Sequence, residues 1–230
     1  MNMTSSSSSS SSASACERFA EFYEKWFKEL QRVAQELRES RKVEVMEKVV
    51  RHHQKYYDHK ALAAESEPLT VLLSPWATAL ERSLHWISGW RPTTAFHLVY
   101  TESSLRFESH IVDILQGHRT GDLGDLSPAQ LRRVSDLQCV TVKEENALTE
   151  ELSEWQDSVS EIMGPGADIN EKIRRLEPII KRADNLRLTT LLSVVALLSP
   201  HQAIEFVIAS AELLVGIRGW GLNHDRPYNQ

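Results

Sequence analysis

The chain has 230 residues, of which 41% are hydrophobic and 25% are charged, and its formal net charge is -6 at pH 7. This length fits one large domain or two small ones, and it can bury a proper core without disulfides. A mildly acidic chain is a poor general binder of nucleic acid, because that affinity comes mostly from Lys and Arg neutralising phosphates. No window approaches 18 uninterrupted apolar residues, so we expect no membrane span.

The first residues are of low complexity, with eight consecutive serines from Ser5 to Ser12. Such a tract cannot bury apolar surface, so we expect a disordered leader over residues 1–15, a helical domain over 16–222 and a flexible tail over 223–230. The leader has neither the basic nor the apolar region of a signal peptide. The two cysteines, Cys16 and Cys139, are too few for a disulfide framework and indicate a reducing compartment. We therefore expect the protein in the nucleus, the cytoplasm or both.

Apolar residues recur at three- and four-residue steps along most of the remaining chain, the pattern of amphipathic helices. The first helix carries Phe19, Phe22, Tyr23, Trp26, Phe27, Leu30, Val33 and Leu37, and the second carries Met46, Val49, Val50, His53, Tyr56 and Tyr57. A third helix is predicted from Trp76 to Gly89, a fourth to Leu115, a fifth from Pro128 to about Val159, a sixth from about Asp168 to Leu198 and a seventh from Pro200 to about Trp220. The sequence thus predicts a single all-α bundle of about seven helices.

Ser-Pro pairs precede three of these helices, at residues 74–75, 127–128 and 199–200. Serine is a favoured N-cap and proline a favoured first helical residue, so each pair predicts a helix start. Gln130 and Gln202 complete two capping boxes. Pro178 is expected to kink or split the sixth helix near Glu177, and Gly164-Pro165-Gly166 reads as a hinge.

Catalytic and metal-binding motifs are not found in the sequence. There is no Gly-rich phosphate loop, no Gly-x-Ser-x-Gly elbow, no Cys-x-x-Cys and no His-Glu-x-x-His. The carboxylates read as ordinary charged helix surfaces, and the adjacent His52 and His53 point to different faces of a helix. We expect no enzymatic activity, no metal site and no cofactor.

Residues 74–100 are unusual because Trp76, Trp86 and Trp90 lie within fifteen residues. Trp86 and Trp90 are four apart, so their rings could enclose a ligand pocket with Arg91 at its mouth, where a guanidinium can hold a carboxylate or stack on a ring. The alternative is a corner between helices that is packed by large rings.

This segment resembles the central motif of the plant Delay of Germination domain family. The residues that carry the resemblance are Pro75, Leu80, Glu81, Leu84, Trp86, Gly89, Arg91, Pro92, Phe96 and Tyr100. Further blocks at residues 123–131, 183–191 and 198–203 are similar to family blocks in the same order, as is the opening Phe22-Tyr23-Glu24-Lys25-Trp26. The similarity runs from about Cys16 to Trp220 and implies a stand-alone member of the family.

The resemblance implies a regulator of seed dormancy, abscisic acid responses, stress or development that acts by binding proteins. Possible partners are clade A protein phosphatases of type 2C, TGA-type bZIP transcription factors and a second copy of the chain. TGA-type factors carry an upstream basic region and zipper that this chain lacks, so we expect no direct sequence-specific DNA binding. Phosphatase binding in the family implies a role for Tyr23 and Trp26, which could instead be core residues.

Haem binding in the seed-dormancy regulator of this family uses two histidines four apart in the last helix. Leu214 and Arg218 stand at those positions here, and neither ligates iron in the usual way. We therefore expect no comparable haem binding. The remaining alternatives are a small-ligand or lipid receptor and a dimerisation or co-regulator module for TGA-type factors.

Overall fold

The structure is a computed structural model that describes residues 13–158 and 168–225. In those ranges the chain forms ten α-helices and no β-strand, which confirms the predicted all-α fold. The helices are α1 (Ala15–Ser40), α2 (Val43–Ser66), α3 (Pro68–Leu73), α4 (Ala79–Ser83), α5 (Thr94–Ser109), α6 (Ile111–Leu115), α7 (Pro128–Asp157), α8 (Ile169–Arg174), α9 (Leu176–Leu197) and α10 (Pro200–His224), with a 3₁₀ turn at Leu123–Asp125. The predicted hinge at 164–166, most of the serine leader and the end of the tail lie outside the described residues.

Helices α1 and α2 form a hairpin that carries much of the aromatic core. Helix α1 begins at a capping box between Ser14 and Glu17. It ends at Arg41, where a left-handed φ of 51° reverses the chain within two residues. Its predicted apolar stripe is buried except for the half-buried Phe22, and each large side chain removed from water contributes about 1.5–3 kcal/mol.

Two of the three Ser-Pro pairs begin helices, as predicted. The hydroxyls of Ser127 and Ser199 accept hydrogen bonds from the backbone N–H groups of Gln130 and Gln202. Each glutamine side chain in turn accepts a hydrogen bond from the backbone N–H of its serine. These capping boxes satisfy backbone donors that the first helical turn leaves unpaired. Helices α7 and α10 therefore begin where local sequence dictates.

The predicted break near Pro178 is also present. Helix α8 ends at Arg174 and α9 begins at Leu176, so Pro178 falls in the first turn of α9. Its missing N–H costs nothing there, because the first-turn donors of a helix have no partner inside the helix.

Helix α10 is the central element of the bundle. It contacts α1, α2, α4, α5 and α9, and its first half is buried from Gln202 to Ile208. Helix α9 packs against α2 and α7 and keeps Leu192 on the exterior. None of the described helices is long and apolar enough to span a membrane.

The third predicted helix, from Trp76 to Gly89, is wrong. Ser74 does not cap a helix start; it ends α3 with a left-handed φ of 48°. A new capping box of Thr78 with Glu81 starts α4, which lasts five residues. The apolar spacing over this stretch arises from successive turns, because distant buried side chains bind the carbonyl groups that a helix would have used.

Candidate functional site

A non-helical loop of residues 84–92, here called the anchored loop, packs against α2 and α9. Ile87 and Ser88 both have left-handed φ angles, of 46° and 58°. Such a conformation is unfavourable for a β-branched residue and persists only where the surroundings impose it. The imposing groups come from α2 and α9.

Arg187 of α9 holds the anchored loop through its guanidinium. Nε donates to the carbonyl oxygen of Trp90 at 2.5 Å, and Nη2 donates to the carbonyls of Trp86 and, at 2.9 Å, Ile87. A Cβ atom on Gly89 would come within 3.0 Å of the guanidinium carbon. The loop therefore needs a glycine where the arginine passes closest.

Lys60 and Asp184 complete a buried group of charges beneath the loop. Lys60 Nζ donates to the carbonyl of Ser88 at 2.7 Å and to Asp184 Oδ1 at 2.9 Å, and Arg187 Nη1 donates to the same Oδ1 at 2.5 Å. Burial lowers the pKa of Lys60 to about 8, and the attraction of Asp184 opposes this shift. Asp184 thus stands between two cations that both also donate to backbone carbonyls of the anchored loop.

The three residues predicted to form a ligand pocket take different positions. The Trp86 ring lies near two guanidinium groups, with Arg187 5.3 Å and Arg91 5.8 Å from its centroid, and its Nε1 donates to Thr149 Oγ1. Trp90 and Arg91 line a cavity between α2, α5, α9 and α10, whereas Trp86 does not. Arg91 is half exposed and lies 3.9 Å from Glu145.

This cavity has a volume of about 90 Å³ and adjoins a smaller one of about 40 Å³. Both spaces are lined by His53, Tyr57, Trp90, Arg187 and Leu214. Most of the other residues lining the larger space are apolar, including Leu98, Leu191 and Phe206 of α5, α9 and α10. The bundle therefore contains an interior space, and of the residues that line it the sequence predicted only Trp90 and Arg91 as pocket residues.

Tyr23 and Trp26, the predicted phosphatase-binding residues, are core residues in this structure, each 4% exposed. The Tyr23 hydroxyl donates to Glu81 at 2.8 Å, and Trp26 Nε1 donates to the carbonyl of His52 at 2.9 Å. A partner approaching this segment meets the exposed Glu24 and Lys25 instead. Their partner-binding role stays a prediction, and the burial makes any such role indirect.

The two positions that correspond to haem-binding histidines are occupied by interior side chains. Leu214 lines the cavity, and Arg218 is buried against Glu81, at 3.0 Å, and Glu24. The Arg218 guanidinium also lies 4.7 Å from the centroid of the Tyr23 ring. In residues 13–158 and 168–225 no group of three His, Cys, Asp or Glu side chains is arranged to hold a metal ion.

Large apolar side chains are exposed at the end of α5 and on α6. We call this set the apolar patch: Leu105, Phe107, Ile111, Val112 and Leu115, which are 42% to 79% exposed. No residue of α6 is buried. Exposed apolar clusters of this kind commonly mark sites of protein interaction.

Sequence reasoning missed the residues that organise the site: Lys60, Glu81, Asp184 and Arg187. Lys60 lies among other basic residues of the second predicted helix, a pattern that favours a solvated face, and Asp184 and Arg187 lie within the family-like block at residues 183–191. Their i, i+3 spacing on α9 was a usable signal, since it places both charges on one helix face. Nothing local indicates that this face meets the anchored loop.

The residues around the site match known proteins. A family model described as seed dormancy control matches residues 26–101, a range that holds Lys60, Glu81 and the anchored loop. The chain is 27% identical to Protein DOG1-like 4 of Arabidopsis thaliana, in an alignment covering 89% of this chain and 92% of that protein. These matches agree with the resemblance of the chain to the Delay of Germination domain family.

The chain is also similar to other proteins. It is 23% identical to Protein DOG1-like 3 of Arabidopsis thaliana, over 77% of the chain and 71% of that protein. It is 24% identical to Transcription factor TGA2.3 of Oryza sativa subsp. japonica, over 83% of the chain and 59% of that factor. These relatives support a regulatory role in seed dormancy or transcription, and they are consistent with a chain that is not an enzyme.

Proposed function

We propose that this protein is a non-enzymatic regulator in abscisic acid, stress, seed or developmental signalling that acts by binding other proteins and is linked to transcription. The observation that carries the proposal is the apolar patch on α5 and α6, which no other part of the described chain covers. Similarity to transcription factors supports a nuclear location, with the cytoplasm as the second compartment.

The partner we assign to the apolar patch is a TGA-type bZIP factor. The alignment with Transcription factor TGA2.3 covers 83% of this chain, which supports the pairing of two similar domains. A patch of large aliphatic and aromatic side chains suits such an interface, because buried apolar anchors carry most of the affinity of a protein complex. Pairing of two copies of this chain through the same patch is the competing outcome.

The test is binding of a purified TGA-type factor to the full chain, with light scattering to record the oligomeric state. Leu115, 79% exposed, is changed to glutamate, and Leu73, 68% exposed on α3, receives the same change as a control. We expect Leu115→Glu to weaken binding by about tenfold or more and Leu73→Glu to leave it unchanged. Equal binding by both variants, or no complex with the unchanged chain, would reject this partner.

A second partner class, the type 2C phosphatases, is assigned to the exposed face of α1. Because Tyr23 and Trp26 are buried, the contacts would come from Lys25 and Lys28, with the aromatic rings fixing the helix. Trp26→Ala would not test this contact, since removing a core tryptophan costs about 3–5 kcal/mol of stability. A charge reversal on the surface does test it.

Lys25→Glu is therefore compared with Lys48→Glu, a charge reversal on the exposed surface of α2. Binding to a purified clade A phosphatase is measured by calorimetry at two salt concentrations. We expect Lys25→Glu alone to weaken the complex, and more strongly at low salt, because exposed charges are screened as salt rises. A complex insensitive to both changes would place the phosphatase elsewhere.

A second candidate function is that of a small-ligand receptor. It is favoured by the interior cavity beside Trp90 and Arg91, which lies between four helices and reaches the surface at the exposed Arg91. Ligand sites in helical bundles commonly occupy such positions. Native mass spectrometry of the protein purified from plant tissue tests this function, and a bound small-molecule mass is the expected result.

A further inference from the structure

The interior cavity contains a hydrogen-bond acceptor without a partner. His53 is buried, and its Nδ1 lies 2.9 Å from the carbonyl oxygen of Val49. A carbonyl only accepts, so Nδ1 carries the proton and Nε2 presents a lone pair. Within the described part of the chain Nε2 has no hydrogen-bond partner, although it is shielded from solvent.

The His53 ring is held in one orientation. Trp26 packs edge-on against it, with the centroids 5.5 Å apart and the planes at 89°. With Nδ1 fixed by the Val49 carbonyl, the ring lines both the larger and the smaller space. His85, which lines the smaller space, likewise has a buried Nδ1 with no partner among the described residues. The interior therefore presents one fixed acceptor, His53 Nε2, near a second imidazole nitrogen that has no partner among the described residues.

An unpaired buried acceptor is costly, and native proteins rarely keep one without a use. The rest of the cavity wall limits what could satisfy it. Lys60 and Arg187 already place two cations against one carboxylate, that of Asp184, so a cationic ligand would be repelled. Two of the three Lys60 donors and four of the five Arg187 donors already bind carbonyls or Asp184, so few remain for an anionic ligand. The remaining wall is mainly aliphatic and aromatic.

We propose that this cavity binds a small, neutral, largely apolar molecule that donates one O–H or N–H hydrogen bond to His53 Nε2. The inference rests on the receptor function proposed above and specifies its ligand class. Leu98, Leu191 and Phe206 would contact the apolar body, and Arg91 would lie at the entrance. Burial keeps His53 uncharged at neutral pH by lowering its pKa to about 4, so Nε2 remains an acceptor.

The test uses phenol and toluene, two rings of similar shape that differ in one hydroxyl group. Binding of each to the full chain is measured by saturation-transfer NMR and by shifts of the tryptophan indole N–H signals. Wild type is expected to bind phenol about tenfold more tightly than toluene, the value of one hydrogen bond to a buried acceptor. In His53→Leu this preference should be lost or reversed. His97→Leu, a change of an exposed histidine on α5, should keep the wild-type preference.

The outcomes separate the ligand class from the receptor function. Ala95→Leu places a larger side chain in the larger space and should block binding there. If phenol and toluene bind equally well and Ala95→Leu abolishes the binding of both, the cavity is a ligand site but the hydrogen-bond requirement is overturned. If neither binds the folded wild-type chain, both proposals are overturned. An unfolding midpoint for His53→Leu at or above that of wild type excludes misfolding as the cause of lost phenol binding.

Discussion

Replacing Arg187 with methionine measures how far the anchored loop depends on one buried cation. Methionine keeps much of the apolar length of the side chain and removes the guanidinium. The carbonyl groups of Trp86, Ile87 and Trp90 lose the donor that binds them, and Asp184 loses one of its two cationic partners. The left-handed turn in the loop then has only Lys60 to hold it.

The size of the effect follows from those contacts. Removing one partner of a buried ion pair typically costs about 3–5 kcal/mol, because the other charge stays buried. Each carbonyl left unpaired adds about 1–3 kcal/mol if water cannot reach it. Lys60 keeps Asp184 partly compensated, and water can enter beside the half-buried Trp86, so we expect a loss of about 3–5 kcal/mol in total. Domains are stable by about 5–15 kcal/mol, so the variant should fold with a much reduced margin.

Urea unfolding followed by circular dichroism and tryptophan fluorescence gives the loss of stability. Arg182→Met is the matched control, because Arg182 lies on the same helix, is 54% exposed and pairs with Glu151 on the surface. A surface pair is worth at most about 1 kcal/mol, so the control should unfold close to wild type. Hydrogen exchange should also show faster opening of residues 84–92 in Arg187→Met alone. Equal unfolding midpoints for the two variants would refute the anchoring argument.

Histidine burial, glycine packing and helix capping give three smaller predictions. Burial lowers the pKa of His53 from 6.5 to about 4, so the contribution of the neutral ring to stability is present above pH 6.5 and lost as pH falls through 4. Between pH 6.5 and 4 the urea midpoint of His53→Leu should therefore fall less than that of the wild-type chain. Gly221→Ala should lower the melting temperature, because the added Cβ would lie 2.1 Å from Thr78 Oγ1. Gly216→Ala on the same helix adds a Cβ that meets no other atom, so it should raise the free energy of unfolding by up to about 1 kcal/mol. Ser199→Ala should cost about 1 kcal/mol in urea unfolding, because the first turn of α10 loses its cap.

The long helices and their ends were predictable because the signals for them are local. Apolar residues at helical spacing defined α1 and α2, and Ser-Pro-x-Gln sequences defined the starts of α7 and α10. Each capping box depends on residues three positions apart, so it forms wherever that short sequence occurs. The family resemblance also followed from the sequence, since its motifs are continuous blocks of residues.

The anchored loop and the cavity depend on residues far apart in the chain. Lys60 meets Asp184 across 124 positions, and Arg187 reaches the carbonyls of Trp86 and Ile87 across about 100. The spacing from Trp76 to Gly89 therefore resembled a helix, although the favourable solution was a turn held by buried cations. The unpaired state of His53 Nε2 likewise depends on the neighbouring helices, because none of their described residues donates a hydrogen bond to it.

The sequence by itself determined the all-α class, the main helix boundaries and the family resemblance, because these depend on periodicity, caps and contiguous motifs. Only the tertiary structure decided that Tyr23 and Trp26 are buried, that Arg187 holds the anchored loop and that His53 faces an interior space. The physical reason is that burial and pairing are properties of the packed helices together. A side chain can be read as interface, ligand site or core until its neighbours from other helices are known.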